Sequence, residues 1–343
     1  MSGTSLDGVD MALCDITEHG YRVLKATTVP YPTEWRQRLA CLDKATAFEY
    51  ALTDVELGHY MGRLIHEFLA DVDTPCDAVA SHGHTIFHRP EMGLTTQIGN
   101  GDAIAAECRL PVISNFRTLD VALGGQGAPL VPIGDELLFG EYDACLNLGG
   151  IANISYRKEN GQREAFDICP CNMPLNLLAA RLGLDYDPNG QHAAQGNVLT
   201  CLKLRLDDLP YYGQTAPKSM GKEWFSEYFW PLLEQCDNDT DDLLATVSAH
   251  IAWQTAQVLR RESITSLLVT GGGAFNSDLI DRISLYAPTT TITVPDTLTV
   301  NYKEAIVFAL LGYLRLKGET NTLQSVTGAI CDSCSGNISG IIE

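Results

Sequence analysis

The chain has 343 residues, 45% hydrophobic and 19% charged, which is enough for two domains with separate cores. Its 43 acidic against 23 basic side chains give a net charge of −20, which repels nucleic acid and anionic membrane and leaves any bound phosphate to backbone amides, a metal or a few local cations. No signal-peptide pattern is present, the longest apolar run (305–314) is far short of the roughly 18 to 20 residues that span a bilayer, and eleven cysteines, an odd number, fit reduced thiols, so a cytoplasmic protein is expected.

The opening, Met1-Ser2-Gly3-Thr4-Ser5-Leu6-Asp7-Gly8-Val9-Asp10, reads as a tight turn feeding a strand. Such a turn either cradles phosphate on its N–H groups or closes an ordinary hairpin. Strands over 9–16 and 21–30 make a hairpin around Glu18-His19-Gly20. A capping box at Thr53 and Glu56 starts a helix with Leu57, Met61, Leu64, Ile65, Phe68 and Leu69 on one face. A short strand over 77–80 delivers Ser81-His82-Gly83-His84, and a helix (102–109) and a strand (111–114) follow. Past a glycine cluster (124–127) the pattern restarts with strand 144–148, the turn Gly149-Gly150 and strand 151–156, which suggests duplicated lobes. Helices are predicted over 173–182, 222–235 and 242–261, the last with Leu244, Val247, Ile251 and Val258 inward. Strand 266–269 runs into Gly271-Gly272-Gly273-Ala274-Phe275-Asn276, and helix 301–316 is the last strong element. Strands alternating with helices make this an α/β protein.

Three glycine turns at strand ends, GTSLDG, NLGGIAN and TGGGAFN, are far more specific together than singly. They resemble the phosphate and adenosine motifs of the actin, hexokinase and Hsp70 superfamily. With HRP at His88, QIG at Gln97, GGQGAPLVP at Gly124, PKSMGKEWF at Pro217 and EAIVFALLG at Glu304, nearly the whole chain resembles the anhydro-N-acetylmuramic acid kinase family. That resemblance implies a two-lobed actin/hexokinase-like (ribonuclease H-like) fold with a central cleft, lobe I being 1–120 plus 302–343 and lobe II 121–301. It also implies ATP-dependent phosphorylation at O6 of 1,6-anhydro-N-acetylmuramic acid, coupled to hydrolytic opening of the anhydro bond, with Mg²⁺. The partners are then two small molecules, and a homodimer is left open.

The same resemblance assigns residues. Asp167 takes the position of the catalytic base, although by its own sequence context it reads as a helix N-cap. Gly3, Thr4, Ser5, Leu6, Asp7, Gly8, Val9 and Asp10 should surround phosphate, with Asp7 and Asp10 reaching Mg²⁺ through water. Gly149 and Gly150 form the second phosphate turn, and Gly271, Gly272, Gly273 and Asn276 border adenosine. Arg117, Gln126 and Glu304 are the sugar-site residues, Glu304 reading equally as a first-turn helix carboxylate. Where the family has Asp-Thr-Gly-Pro-Gly-Asn this chain has Asp167-Ile168-Cys169-Pro170-Cys171-Asn172; Asn115 and His84 also depart from the pattern. His82, His84 and His88, with Asp120 or Cys169, offer the competing reading of a metallohydrolase, and a non-catalytic sugar sensor is a third. Cys331-x-x-Cys334 reads as a C-terminal turn or an isolated thiol pair. Family members carry a short apolar strand ahead of Met-Ser-Gly-Thr-Ser; its expected lack here would hold the phosphate loop at one end only and weaken ATP binding.

Overall fold

Alternating apolar residues on both sides of a turn produce the first element, an antiparallel hairpin of β1 (Gly8–Thr17) and β2 (Gly20–Pro30) with a bulge between Leu13 and Cys14. The computed structural model describes residues 1–3, 6–18 and 20–340; Thr4, Ser5 and His19 lie outside the described residues. The remaining strands are β3 (Val79–Ala80), β4 (His84–Arg89), β5 (Leu94–Ile98), β6 (Val112–Ser114), β7 (Ala144–Leu148), β8 (Ile151–Arg157), β9 (Arg163–Pro170), β10 (Ser266–Thr270), β11 (Thr291–Thr293) and β12 (Asn337–Ser339). The chain forms two units, one of Met1–Leu138 with Tyr302–Glu343 and one of Phe139–Asn301. The first passage between them lies at Leu138 and not near residue 120, because helix Pro132–Leu138 belongs to the first core. Ile133 clusters there with Val307 and Phe308, and Asp135 forms a buried ion pair with Lys303 at 2.6 Å.

In the first unit the β1–β2 hairpin, the β4–β5 hairpin and a three-stranded sheet ordered β12-β6-β3 surround helix Ala47–Leu69. That helix begins earlier than the Thr53 box predicted. Thr46 and Glu49 form the capping box, Thr46 Oγ1 accepting from Glu49 N at 3.2 Å and Glu49 Oε2 accepting from Thr46 N at 2.9 Å. Thr53 sits inside the helix, fully buried, with its hydroxyl donating back to Glu49 O. Leu57, Met61 and Phe68 are buried, as their spacing requires, in one core cluster that also takes Ile104 and Cys108 of helix Gly101–Cys108.

The second unit is built on a sheet ordered β11-β10-β7-β8-β9, with β10 parallel to β7 and a β7-β8-β9 antiparallel meander. β7 and β10 are buried on both faces, which is why they read as continuous apolar runs. Helix Thr240–Arg261 covers them with Leu244, Val247 and Ile251. The segment predicted as one helix over 222–235 contains a π turn at Phe225–Phe229 just before Pro231, whose missing N–H and ring disfavour a regular α turn there. No helix among the described residues is long and apolar enough to cross a membrane.

Candidate active site

In the first unit the opening turn is closed by Leu6 N donating to Gly3 O at 3.2 Å, with Leu6 at φ 62. A leucine held in the left-handed region is a strained position, of the kind functional turns retain. Thr4 and Ser5, both expected at phosphate, lie outside the described residues. The turn is held at both ends, which corrects the expectation of a single anchor. Ser2 is buried, bridges Val9 and His84, accepts from Tyr31 Oη at 2.8 Å and is hydrogen-bonded to His84 Nδ1 at 2.8 Å, while Asp7 O accepts from Tyr31 N. Asp7 is exposed, and Asp10 Oδ1 accepts from the Thr28 hydroxyl at 2.6 Å. Gly8 and Val9 are buried at the start of β1, placed there to carry the turn.

Arg117, from the segment after β6, donates from Nε to His82 Nε2 at 2.9 Å and from Nη1 to Gly127 O at 2.7 Å. His82 therefore carries its proton on Nδ1, which donates to Gly83 O at 3.0 Å. Burial first, and then the Arg117 charge, hold His82 neutral, its pKa well below the usual histidine range. Gln126 is exposed and is anchored through its backbone, N donating to Thr327 O. Its loop is organised by Asp120, fully buried, whose Oδ2 accepts from Gly127 N at 2.7 Å and whose Oδ1 accepts from the Thr327 hydroxyl at 2.7 Å. The sequence reading gave Asp120 no such part, and the signal was present: a lone acid just ahead of a glycine-rich turn supplies what the turn's N–H groups need. Glu304, on helix Thr297–Lys317, is exposed, with protein packed around its carboxyl. Those surroundings push its pKa up, and the Arg117 charge opposes the rise.

In the second unit the parallel pairing of β7 and β10 sets two glycine turns side by side. Gly149 and Gly150 join β7 to β8, and their carbonyls accept from Asn172 N, Cys171 N and Met173 N, which fixes the turn against helix Asn172–Ala179. Gly271 has φ 80, and a Cβ there would lie 2.5 Å from Asn147 Oδ1, so no other residue fits the crossing. Gly150 and Gly272 are exposed, leaving backbone open to a ligand at both turns, while Gly273 is buried on Leu148. Asn276 caps helix Ser277–Tyr286, its Oδ1 accepting from Leu279 N at 3.0 Å, so that oxygen has a structural task.

Asp167 does not cap a helix. It lies on β9, paired with Asn153 beside a bulge that separates Ala152 from Asn153. Its Oδ2 accepts from Met220 N at 2.8 Å, its backbone O accepts from the Tyr211 hydroxyl at 2.7 Å, and its N donates to Lys218 O at 3.3 Å. Oδ1 has no partner among the described residues. Burial raises the carboxyl pKa and the Met220 bond lowers it, with burial the larger effect. A carboxylate with one oxygen held, the other free and its basicity raised is built to accept a proton. Cys169 and Cys171 are fully buried beyond it, and burial pushes both thiols up, Cys171 to about 12.

The histidine-metal reading is not supported. His82 Nε2 is taken by Arg117, His84 Nδ1 by Ser2 and His88 Nδ1 by Thr95. Among the described residues no three His, Cys, Asp or Glu side chains converge as a metal site, and Cys331 and Cys334 are free thiols.

The family model described as anhydro-N-acetylmuramic acid kinase matches residues 1–340. A protein of Picosynechococcus sp. named anhydro-N-acetylmuramic acid kinase is 35% identical over 373 residues, covering 98% of this chain and 97% of that protein. Similar relatives with the same name come from Rippkaea orientalis, 36% identical with 96% and 95% coverage, and from Photobacterium profundum, 35% identical with 96% and 94% coverage.

Proposed function

The chain belongs to the anhydro-N-acetylmuramic acid kinase family, and on that premise we propose how its own residues divide the work. It is an ATP-dependent kinase that opens 1,6-anhydro-N-acetylmuramic acid with water and phosphorylates O6, giving N-acetylmuramic acid 6-phosphate. Asp167 is the general base: Oδ1 takes a proton from water as the water oxygen bonds to the anomeric carbon. The C1–O6 bond breaks with its electron pair going to O6, and O6 attacks the γ-phosphorus of ATP, releasing ADP. The observation that carries this reading is the asymmetric hold on Asp167, with Oδ2 on the Met220 N–H and Oδ1 unpartnered among the described residues.

Gly149, Gly150, Gly271, Gly272 and Gly273 offer backbone to the nucleotide, with Asn276 beside them through its Nδ2. Gly3, Thr4, Ser5, Leu6, Gly8 and Val9 form the other phosphate turn. Exposed backbone at Gly150 and Gly272 fits a polyphosphate. Asp7 and Asp10 are hard oxygen donors suited to hold Mg²⁺ through water, and the ion when bound would offset charge on the phosphates. Arg117, Gln126 and Glu304 bind sugar, the Arg117 guanidinium having been fixed in place by His82 and Gly127. Eleven free cysteines support a reducing, cytoplasmic setting.

The test is Asp167→Asn, which keeps shape and the Met220 bond and cannot take the proton. Substrate and ATP binding should persist while turnover falls on the order of a hundred- to ten-thousandfold. In ¹⁸O-water the parent should place label at the anomeric carbon and none in the phosphate. Near-parental turnover by a folded Asn variant, or label in the phosphate, refutes the assignment.

A further inference from the structure

We propose that Tyr211 is a positioning residue for Asp167, holding the β9 backbone so that Oδ2 stays on the Met220 N–H and Oδ1 alone meets the attacking water. The proposal rests on the reading of Asp167 as base. Three residues close a ring: Tyr211 Oη donates to Asp167 O at 2.7 Å, Asp167 N donates to Lys218 O at 3.3 Å, and Lys218 Nζ donates to Tyr211 O at 3.2 Å. The ammonium also lies 4.5 Å from the centre of the Tyr211 ring. The segment 218–220 thus runs along the edge of β9 that β8 leaves open, and Tyr211 ties that segment to Asp167.

The turn carrying Tyr211 (Pro210–Gly213) is itself fixed from beneath. Tyr212 Oη donates to His250 Nε2 at 2.9 Å, His250 Nδ1 meets Asp207 Oδ1 at 2.6 Å, and Lys203 Nζ donates to Asp207 Oδ2 at 2.6 Å. His250 is fully buried, which shields this chain of bonds from water, and Tyr211 is 3% exposed with its ring 5.3 Å from Trp224. Such geometry is what a base needs, since an error of an ångström in its placement is costly to proton transfer. The titratable groups facing Asp167 are Tyr211 from its turn, Lys218 from the crossing segment and Cys169 on β9 itself, with Asp207 further in behind Cys169.

Tyr211→Phe in the full chain, assayed with ATP, Mg²⁺ and 1,6-anhydro-N-acetylmuramic acid, keeps the ring and removes the hydroxyl. We expect kcat to fall about tenfold with both KM values within about twofold. With Asp167 freed to leave the Met220 N–H, its charged form loses a donor. Its pKa therefore rises, and the acid limb of kcat/KM moves up by about half a pH unit. A kcat within about twofold of parent with an unmoved limb, or a raised KM with intact kcat, overturns the proposal. Should Tyr211→Phe fail to fold, Lys218→Met breaks the same ring at another bond and is expected to give the same pattern at smaller amplitude, read by the same criteria. If the parent itself turns over no anhydrosugar, the proposed function falls, and the Tyr211 role is read from the Asp167 carboxyl titration by ¹³C NMR, assigned through Asp167→Asn. An upward shift in Tyr211→Phe supports positioning and an unchanged titration refutes it.

Discussion

Arg117 cannot give up its proton at any working pH, so its bond to His82 Nε2 settles that histidine's tautomer and keeps it uncharged. His84 and His250 are also buried, and burial lowers the pKa of all three below the ordinary value of 6.5. Each folded-state value lies under the unfolded one, so the unfolded chain binds protons that the folded chain refuses. The stability these residues leave intact above about pH 6.5 is lost as pH falls through that value. Asp167 acts in the opposite sense, because its raised pKa lets the folded state take the proton first, but its window opens lower, toward the carboxylate range. The melting temperature should therefore drop by several degrees between about pH 7.5 and about pH 5.5, a range in which the histidines dominate. A flat profile over that range would mean that these rings find charged partners on protonation. This feature was hidden in the sequence, where His82, His84 and His88 looked like a ligand run, because spacing along a chain does not show which ring nitrogen already has a donor.

Among the elements, those with strong periodicity or plain end signals were legible. β7 has the bounds read from its apolar run, and helix Thr240–Arg261 buries the face its spacing predicted. Helix Thr297–Lys317 starts ahead of residue 301 because Asp296 accepts from Leu298 N and Thr299 N, a cap the apolar pattern alone does not reveal. The β4–β5 hairpin and β9 were missed: the first is rich in His, Arg and Thr, and the second mixes Arg, Glu and Asp into eight residues that end on Pro170. Missing β9 is what made Asp167 read as a helix cap. Past it, Cys169 and Cys171 fill core volume as protonated thiols, supplying packing where glycine would leave backbone freedom. Replacing both by glycine should cost about 2 to 4 kcal/mol in a urea melt, through lost burial and added chain entropy, while kcat/KM stays within about tenfold. Stoichiometric zinc in the purified parent, or a loss of activity beyond a hundredfold with the fold intact, would assign these thiols a different task.

For the molecule as a whole, the excess of 43 acidic over 23 basic side chains works against both compactness and capture of ligands, since ATP and a sugar bearing a lactyl carboxylate are both anions. A net charge of −20 gives no long-range attraction for them. On the proposed division of roles, binding relies on backbone turns such as Gly149-Gly150 and Gly271-Gly273 and on a few placed cations such as Arg117, whose reach is short. Self-repulsion acts over a Debye length of about 30 Å at 0.01 M salt and about 10 Å at 0.1 M. Raising KCl across that interval should lift the melting temperature by a few degrees and raise kcat/KM for ATP about twofold, with little change beyond. Most enzymes that steer anions inward lose rate as salt rises, so the sign of the slope is the test. A kcat/KM that falls steeply with KCl would show that local positive potential at the nucleotide turns outweighs a net charge of −20. A rise would show that capture depends on contact with oriented amides, whose dipoles act only at close range.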